Sequence, residues 1–572
     1  MRSSRPAVPG LRPGLRIYPS FLIKFNEIVR RPRPPPGSFS RTAGAAESII
    51  RERILLPAVR AFSPLAMKHL VKSTTKLTVF RRPVFGRPIL AMVATAILTI
   101  AGGSPLAQDN LPDIGSPADA ILSKSDEARI GRAIMRSIRA SGQLVEDPLI
   151  TEYINEIGHR IAAHTNDGDH SFTFFVVDDP NINAFALPGG YIGVHTGLLD
   201  ATRSEHELAG VLAHEVAHVT QRHIARAVHA NQRQSILSTA IMLGAILAGA
   251  AGAGGDAMQG AIAVAQGTAM QQQINFTRSN EYEADRVGIA ALADAGFDPN
   301  GMASFFEVIS RDTRPHEYRL PEFLRTHPVS SARIAEARGR AREYATETAA
   351  DSTNYGLARA RLRVAAQSSA EQAVALYEQV SYERQTDVER YGRAVAYLRA
   401  GRNNEANRIF EELANKDPKV IPYHIGLGQS QMALEQVETA RSTFERARAL
   451  FPRNVPLTIH YAEALLHFGK ADQAHRMLLD LLNNVPPTPE QVRLIARAAI
   501  EAGDAAEAHY YMAEYNFMIG DLVQGVNFLR QALRVPEIQE IQRIRFEARI
   551  DFIREYMSEE QLQQAQRNRT IG

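Results

Sequence analysis

The chain has 572 residues, 65 Lys+Arg against 62 Asp+Glu, a formal net charge of +3 and 45% hydrophobic residues. That length accommodates three or four units of ordinary size, and the hydrophobic content excludes a mostly disordered chain or a polytopic membrane protein. There is no cysteine. A disulfide framework, a thiolate zinc site and a cysteine nucleophile are therefore excluded, and any metal must bind through histidine and carboxylate.

The charge is unevenly spread. Residues 1–107 hold 18 Lys+Arg against Glu27, Glu47 and Glu52, a net of +15, which leaves 47 basic and 59 acidic residues, a net of −12, for the rest. Residues 1–66 read as a basic Pro/Arg-rich extension, either disordered or upstream of a true start at Met67. From Met67 a basic segment leads into the apolar run Ile89–Ala101 and then small residues, with Ala107–Gln108 or Gly103–Ser104 as cleavage points. Residues 67–107 thus have the layout of a secretory signal peptide. With the basic leader removed, the overall charge gives no reason to expect a nucleic-acid partner.

Residues 108–345 carry helical patterns around one segment of strand character, Ser171–Val177, followed by a Pro/Gly turn and Tyr191–His195. Ser204 and Glu207 have capping-box spacing and start a helix with the apolar stripe Leu208, Val211 and Leu212. On it stands His214-Glu215-Val216-Ala217-His218. The two histidines are i,i+4 and project from one face, suited to a single Zn²⁺, while Glu215 lies about 100° round, placed to hold a water on the ion rather than to ligate it. Gln221 and Ile224 stand where a metzincin needs Gly and His, so that family is excluded. Downstream, RSNEYEADRVGIAALADAG is a second helical pattern in which Glu281 and Asp285 share a face. Glu281 is the expected third ligand, with Asp285 behind it to orient a histidine or pass a proton; spacing alone leaves Glu283 as a competitor. His206, His223 and His229 read as surface or supporting residues.

Between these helices the Ala/Gly-rich run Ile236–Gly255 is long enough to raise a membrane span. Its glycines and the absence of a following basic cluster favour a helical hairpin that covers the cleft or touches the membrane surface. The polar stretch Thr346–Asn354 marks a boundary. Beyond residue 366 the chain reads as helix, with Ala406, Ala440, Ala474 and Ala508 spaced 34 residues apart. Phe410, Phe444 and Leu478 follow the first three alanines by four residues, and Pro418, Pro452 and Pro486 by twelve. Gly401, Gly469 and Gly503 precede their alanines by five, with Glu435 at the equivalent place in the second unit. This spacing resembles the tetratricopeptide repeat over 366–560, a solenoid whose concave face binds peptides or partner proteins.

HEVAH, then E-Y-E-A-D, with NAFALPGG before and THPVSSARI after, resembles the gluzincin peptidases that include HtpX and the CAAX prenyl endopeptidase. Within them it resembles the secreted, beta-barrel assembly-enhancing protease-like branch with C-terminal tetratricopeptide repeats. The resemblance implies a mainly α protein: a gluzincin-type zinc peptidase domain with a small β element, followed by the solenoid. It implies Glu281 as zinc ligand beside His214 and His218, Glu215 as base and Asp285 as proton donor. His327 and Arg333 fall on the family's His and Arg near the metal, His327 either stabilising an oxyanion or filling the open zinc position at rest. Asn183–Ala186 falls on the strand beside the cleft, to whose edge an extended substrate could add. The expected protein is a periplasmic zinc endopeptidase acting on protein or peptide substrates, its repeats recruiting substrates or outer-membrane assembly machinery, with peripheral membrane contact through 236–255. The alternatives are a repeat chaperone with minor proteolysis and a membrane-integrated protease.

Overall fold

The computed structural model describes residues 122–571 apart from 166–170, 231–277, 314–320, 345–349, 484 and 537. The basic extension 1–66, the segment 67–107 expected to be a signal peptide and the 236–255 run lie outside the described residues. The N-terminal part begins with α1 (Lys124–Ala140) and α2 (Pro148–Ala162), then β1 (Thr173–Val177), β2 (Ala184–Leu187) and β3 (Tyr191–His195). There follow α3 (Thr196–Ala201), α4 (Glu205–Thr220), α5 (His223–Ala230), α6 (Arg278–Asp294), α7 (Asn300–Thr313), α8 (Glu322–Thr326) and α9 (Ser331–Ala341).

The sheet has the order β1-β3-β2, with β3 parallel to β1 and antiparallel to β2. Side chains alternate faces along a strand. Phe174, Val176, Ala184, Ala186, Ile192 and Val194 therefore face the main core with α2 and α4, whereas Phe175, Val177, Phe185 and Leu187 face a second core with Ile130 and Ile134 of α1. Both faces are covered, which is why these strands are apolar throughout rather than alternating.

Helix α4 is buried along its whole length from Glu205 to Val219. Ser204 caps it by accepting from Glu207 N at 3.2 Å. The return half of the capping box differs from expectation: Glu207 Oε2 accepts from Arg203 N at 2.7 Å, and Oε1 from the Ser304 hydroxyl of α7 at 2.6 Å. The carboxylate is thus spent on tying α4 to α7. Two glycines let other helices reach α4. A Cβ on Gly210 would stand 2.6 Å from the Met302 nitrogen, and one on Gly288 of α6 would stand 3.0 Å from the Ala213 carbonyl.

Helix α10 (Thr353–Ala365) joins the two parts by belonging to both cores. Tyr355, Ala358 and Leu362 pack into the N-terminal core, and Leu357, Ala360 and Val364 into the first helical core beyond it. From α11 (Ala370–Glu378) the chain runs as antiparallel helices: α12 (Asp387–Arg399), α13 (Asn403–Lys416), α14 (Ile421–Ala433), α15 (Val437–Leu450), α16 (Val455–His467), α17 (Ala471–Leu482), α18 (Pro489–Glu501) and α19 (Ala505–Ile519). Helices α20 (Leu522–Leu533), α21 (Glu540–Arg554) and α22 (Glu559–Ile571) complete the chain. The four alanines 34 residues apart have no exposed surface, and Phe410 of α13 and Phe444 of α15 lie against Gly426 and Gly428 of α14, the helix between them. Small residues thus mark where helices touch, as the spacing predicts. No helix among the described residues is long and apolar enough to cross a membrane.

Candidate metal centre

His214 and His218 lie one turn apart on α4, with Nε2 atoms 3.0 Å apart. Because Gly288 lets α6 close on α4, Glu281, one turn inside α6, reaches both. Its Oε2 is 3.5 Å from His214 Nε2 and its Oε1 is 3.5 Å from His218 Nε2. His327, at the C-terminal end of α8, brings Nδ1 to 3.3 Å from His214 Nε2 and 3.2 Å from Glu281 Oε1. These four residues form the one group of metal-ligating side chains within mutual reach among the described residues, and none is more than 2% exposed.

The distances test whether an ion fits. Donors at the corners of a tetrahedron with bonds of about 2.0–2.1 Å stand about 3.3 Å from one another. The separations just given, taking either oxygen of Glu281, run from 3.0 to 3.5 Å, and one donor atom from each of the four residues lies within 4.8 Å of the rest. Three imidazoles and a carboxylate suit a first-row divalent ion. The electrostatics agree. Burial opposes charge on His214, but Asp285 and Glu281 outweigh it and push its pKa up to about 9. His218, buried and beside His214, is held well below the ordinary histidine value. Burial would raise Glu281, yet His327, His214 and His218 pull it well below the carboxylate range.

Glu215 points to the other side of the group. It has no exposed surface, its Oε1 lies 3.5 Å from His327 Nε2, and neither oxygen has a hydrogen-bond partner of good geometry among the described residues. Burial pushes its pKa up, with His327 and His214 opposing. The Ala186 backbone N–H of β2 approaches it without good geometry, which leaves the buried carboxylate able to accept from a water.

Asp285 sits one turn beyond Glu281, its Oδ1 3.0 Å from His214 Nδ1. Arg333, in the first turn of α9, grips the same carboxylate through Nε to Oδ2 and Nη2 to Oδ1, both 2.8 Å, and Glu281 Oε2 through Nη1 at 2.8 Å. Burial would raise Asp285, but hydrogen bonds from His214 and Arg333 hold it below its usual value. The structure therefore brings all seven sequence-selected residues, His214, Glu215, His218, Glu281, Asp285, His327 and Arg333, to one place. It sets Glu283 aside: that carboxylate turns to His223 and Arg226. His223, read as surface or supporting, is fully buried with Nδ1 2.8 Å from His218 Nδ1. His206 is also largely buried and accepts from Asp298 N at 3.2 Å, away from the group.

A helix bearing two histidines and a buried glutamate, met by a glutamate from a second helix, defines a metallopeptidase, here joined to a repeat solenoid. The comparisons agree. The profile of Peptidase family M48 matches residues 148–341, and tetratricopeptide profiles match 390–419 and 431–498. The beta-barrel assembly-enhancing protease of Escherichia coli is 34% identical over 481 residues, covering 81% of this chain and 96% of that protein. That of Yersinia pestis is 34% identical over 460 residues, covering 78% and 92%. A mitochondrial metalloendopeptidase of Arabidopsis thaliana is 28% identical over 222 residues, 38% of this chain and 42% of its own. A thermophilic tetratricopeptide protein of Thermus thermophilus covers 29% of this chain at a TM-score of 0.25 and 23% identity, over 91% of its own length. The chain belongs to the family of beta-barrel assembly-enhancing proteases, with a Peptidase family M48 domain and C-terminal tetratricopeptide repeats.

Proposed function

We propose that the protein is an exported zinc endopeptidase that hydrolyses peptide bonds of unfolded or misassembled envelope proteins in the periplasm. Its working form is a peptidase domain over 108–345 and a repeat domain over 366–560, freed of the 67–107 signal. The repeats recruit substrates or outer-membrane assembly machinery, a reading supported by the relatives' names and the solenoid. One observation carries the chemistry: His214, His218, Glu281 and His327 converge, with the buried Glu215 carboxylate 3.5 Å from the His327 ring.

When bound, the ion polarises the scissile carbonyl and acidifies a water. His214, His218 and Glu281 would hold it. Glu215, its pKa raised by burial, takes a proton from the attacking water and returns it to the leaving nitrogen. Asp285 orients His214 through Nδ1, and Arg333 keeps Asp285 and Glu281 ionised and in place. His327, close to His214 and Glu281, would either hold the ion at rest or donate from its ring to the developing oxyanion. Strand β2 lies at the sheet edge with Ala186 beside Glu215, and an extended substrate can add to it through backbone hydrogen bonds. The test is casein cleavage by wild type and Glu215→Gln, with zinc stoichiometry on both. A variant that binds one zinc per chain but loses at least about a hundredfold in turnover is expected; equal turnover would refute the peptidase reading.

A further inference from the structure

His214 is oriented by a carboxylate, Asp285, whereas the outer nitrogen of His218 rests on another imidazole. His223 Nδ1 lies 2.8 Å from His218 Nδ1. Behind it, His223 Nε2 lies 3.3 Å from Glu283 Oε2, and Arg226 Nη1 donates to that oxygen at 2.8 Å. We propose that His223, anchored by Glu283 and Arg226, is a positioning residue that fixes His218 in the tautomer able to ligate the ion; this rests on the metallopeptidase reading above.

If His218 ligates through Nε2, one proton arrangement satisfies every contact. A carboxylate only accepts, so His223 Nε2 is the donor to Glu283. In neutral His223 the lone pair is then on Nδ1, which accepts the Nδ1 proton of His218. That leaves the His218 Nε2 lone pair facing His214 and Glu281. The reverse arrangement, with His223 Nδ1 donating, would put the His218 proton on Nε2 and remove it as a ligand. Glu283, which spacing alone left as a rival third ligand, therefore acts two bonds further out.

The backbone is bent to make this contact. On one continuous helix residue 223 would lie about 140° round from residue 218 and could not touch it. Instead α4 ends, and Arg222 takes the left-handed conformation at φ 51°, unusual for a residue with a Cβ. Its guanidinium is held by Leu122 O at 2.8 Å and Glu127 Oε2 at 3.1 Å, both at the start of the peptidase fold. This turn begins α5 with His223 folded back over His218 and sets Arg226 one turn later beside Glu283.

The test measures Zn²⁺ affinity of the full-length protein by competition with a chromogenic chelator. His223→Phe keeps a ring but has no acceptor; His223→Gln has an oxygen for His218 and N–H groups for Glu283. His223→Phe is expected to weaken zinc binding by about 10–100-fold, and His223→Gln to stay within about threefold of wild type. Equal affinity of His223→Phe and wild type would overturn the relay, as would a glutamine variant no better than phenylalanine. Should the metal-free His223→Phe protein fail to melt cooperatively, Glu283→Ala, altered at a partly exposed side chain, carries the test. A severalfold weaker zinc affinity is expected there, and an unchanged one overturns the proposal. A wild type that binds no zinc refutes the metallopeptidase reading itself.

Discussion

Arg333→Lys keeps the charge at the metal centre and removes the geometry. The guanidinium makes four hydrogen bonds of 2.8 Å: two to Asp285, one to Glu281 and one to Pro328 O. It also lies 5.0 Å from the centre of the Phe306 ring. An ammonium is a point donor and cannot span both oxygens of Asp285 while holding Glu281 and the carbonyl. Roughly two of the four bonds are lost, each worth about 1.5–3 kcal/mol because the partners are charged. With Arg333 only 3% exposed, water does not replace them, and a loss of about 3–5 kcal/mol results, the range for an unpaired buried charge. At about 2–4 °C per kcal/mol for a domain of this size, the metal-free protein should melt roughly 10 °C lower. Calorimetry reads this directly, and zinc affinity should fall with it because Glu281 loses its anchor. A drop below about 2 °C would show that the fork does not hold the two acids and refute the reasoning.

Three further outcomes are expected. Glu146 is exposed but lines, with Glu490, a cavity of about 1090 Å³ between α2 and the repeats, and the desolvation it meets there together with the Glu490 charge raises its pKa to about 7. An acid raised on folding contributes stability that is full below pH 4.5 and lost as pH rises through 7, so Glu146→Gln should match wild type near pH 4.5 and melt higher at pH 8. Glu435, at φ 58°, occupies the left-handed position that Gly401, Gly469 and Gly503 take in the other repeats; Glu435→Gly should stabilise by about 0.5–1 kcal/mol in urea unfolding, and Glu435→Ala should not. Asp147 caps α2 and pairs with Arg361 of α10, which donates on to the Tyr391 hydroxyl of α12 at 3.1 Å. Asp147→Asn keeps the cap but strands Arg361, costing about 2–3 kcal/mol by thermal melting, and adding Arg361→Met should recover most of it.

Local order made much of this protein legible. Period-34 alanines and prolines specify a solenoid because every repeat solves the same packing problem, and His214, Glu215 and His218 are related by one helical turn whatever surrounds them. Strand β2 was weaker: four residues beside a Pro-Gly-Gly turn carry no periodicity, and only the family resemblance marked them. His327 and Arg333 had no local signal at all. Gly210 and Gly288 mark where α7 and α6 close on α4, but a glycine in a helical pattern does not say what approaches it.

The sequence by itself determined which residues share a helix face, and hence the His214–His218 pair, the Glu281–Asp285 pair and the repeat register. The tertiary structure placed Glu281 rather than Glu283 beside His214 and His218, set His223 against His218, and seated Arg333 of a third helix across two acids of α6. The physical reason is that a helix fixes relations within about two turns, whereas a metal centre is closed by contacts between helices. Those contacts depend on close approach at Gly288 and on the left-handed turn at Arg222, neither of which a one-dimensional pattern encodes.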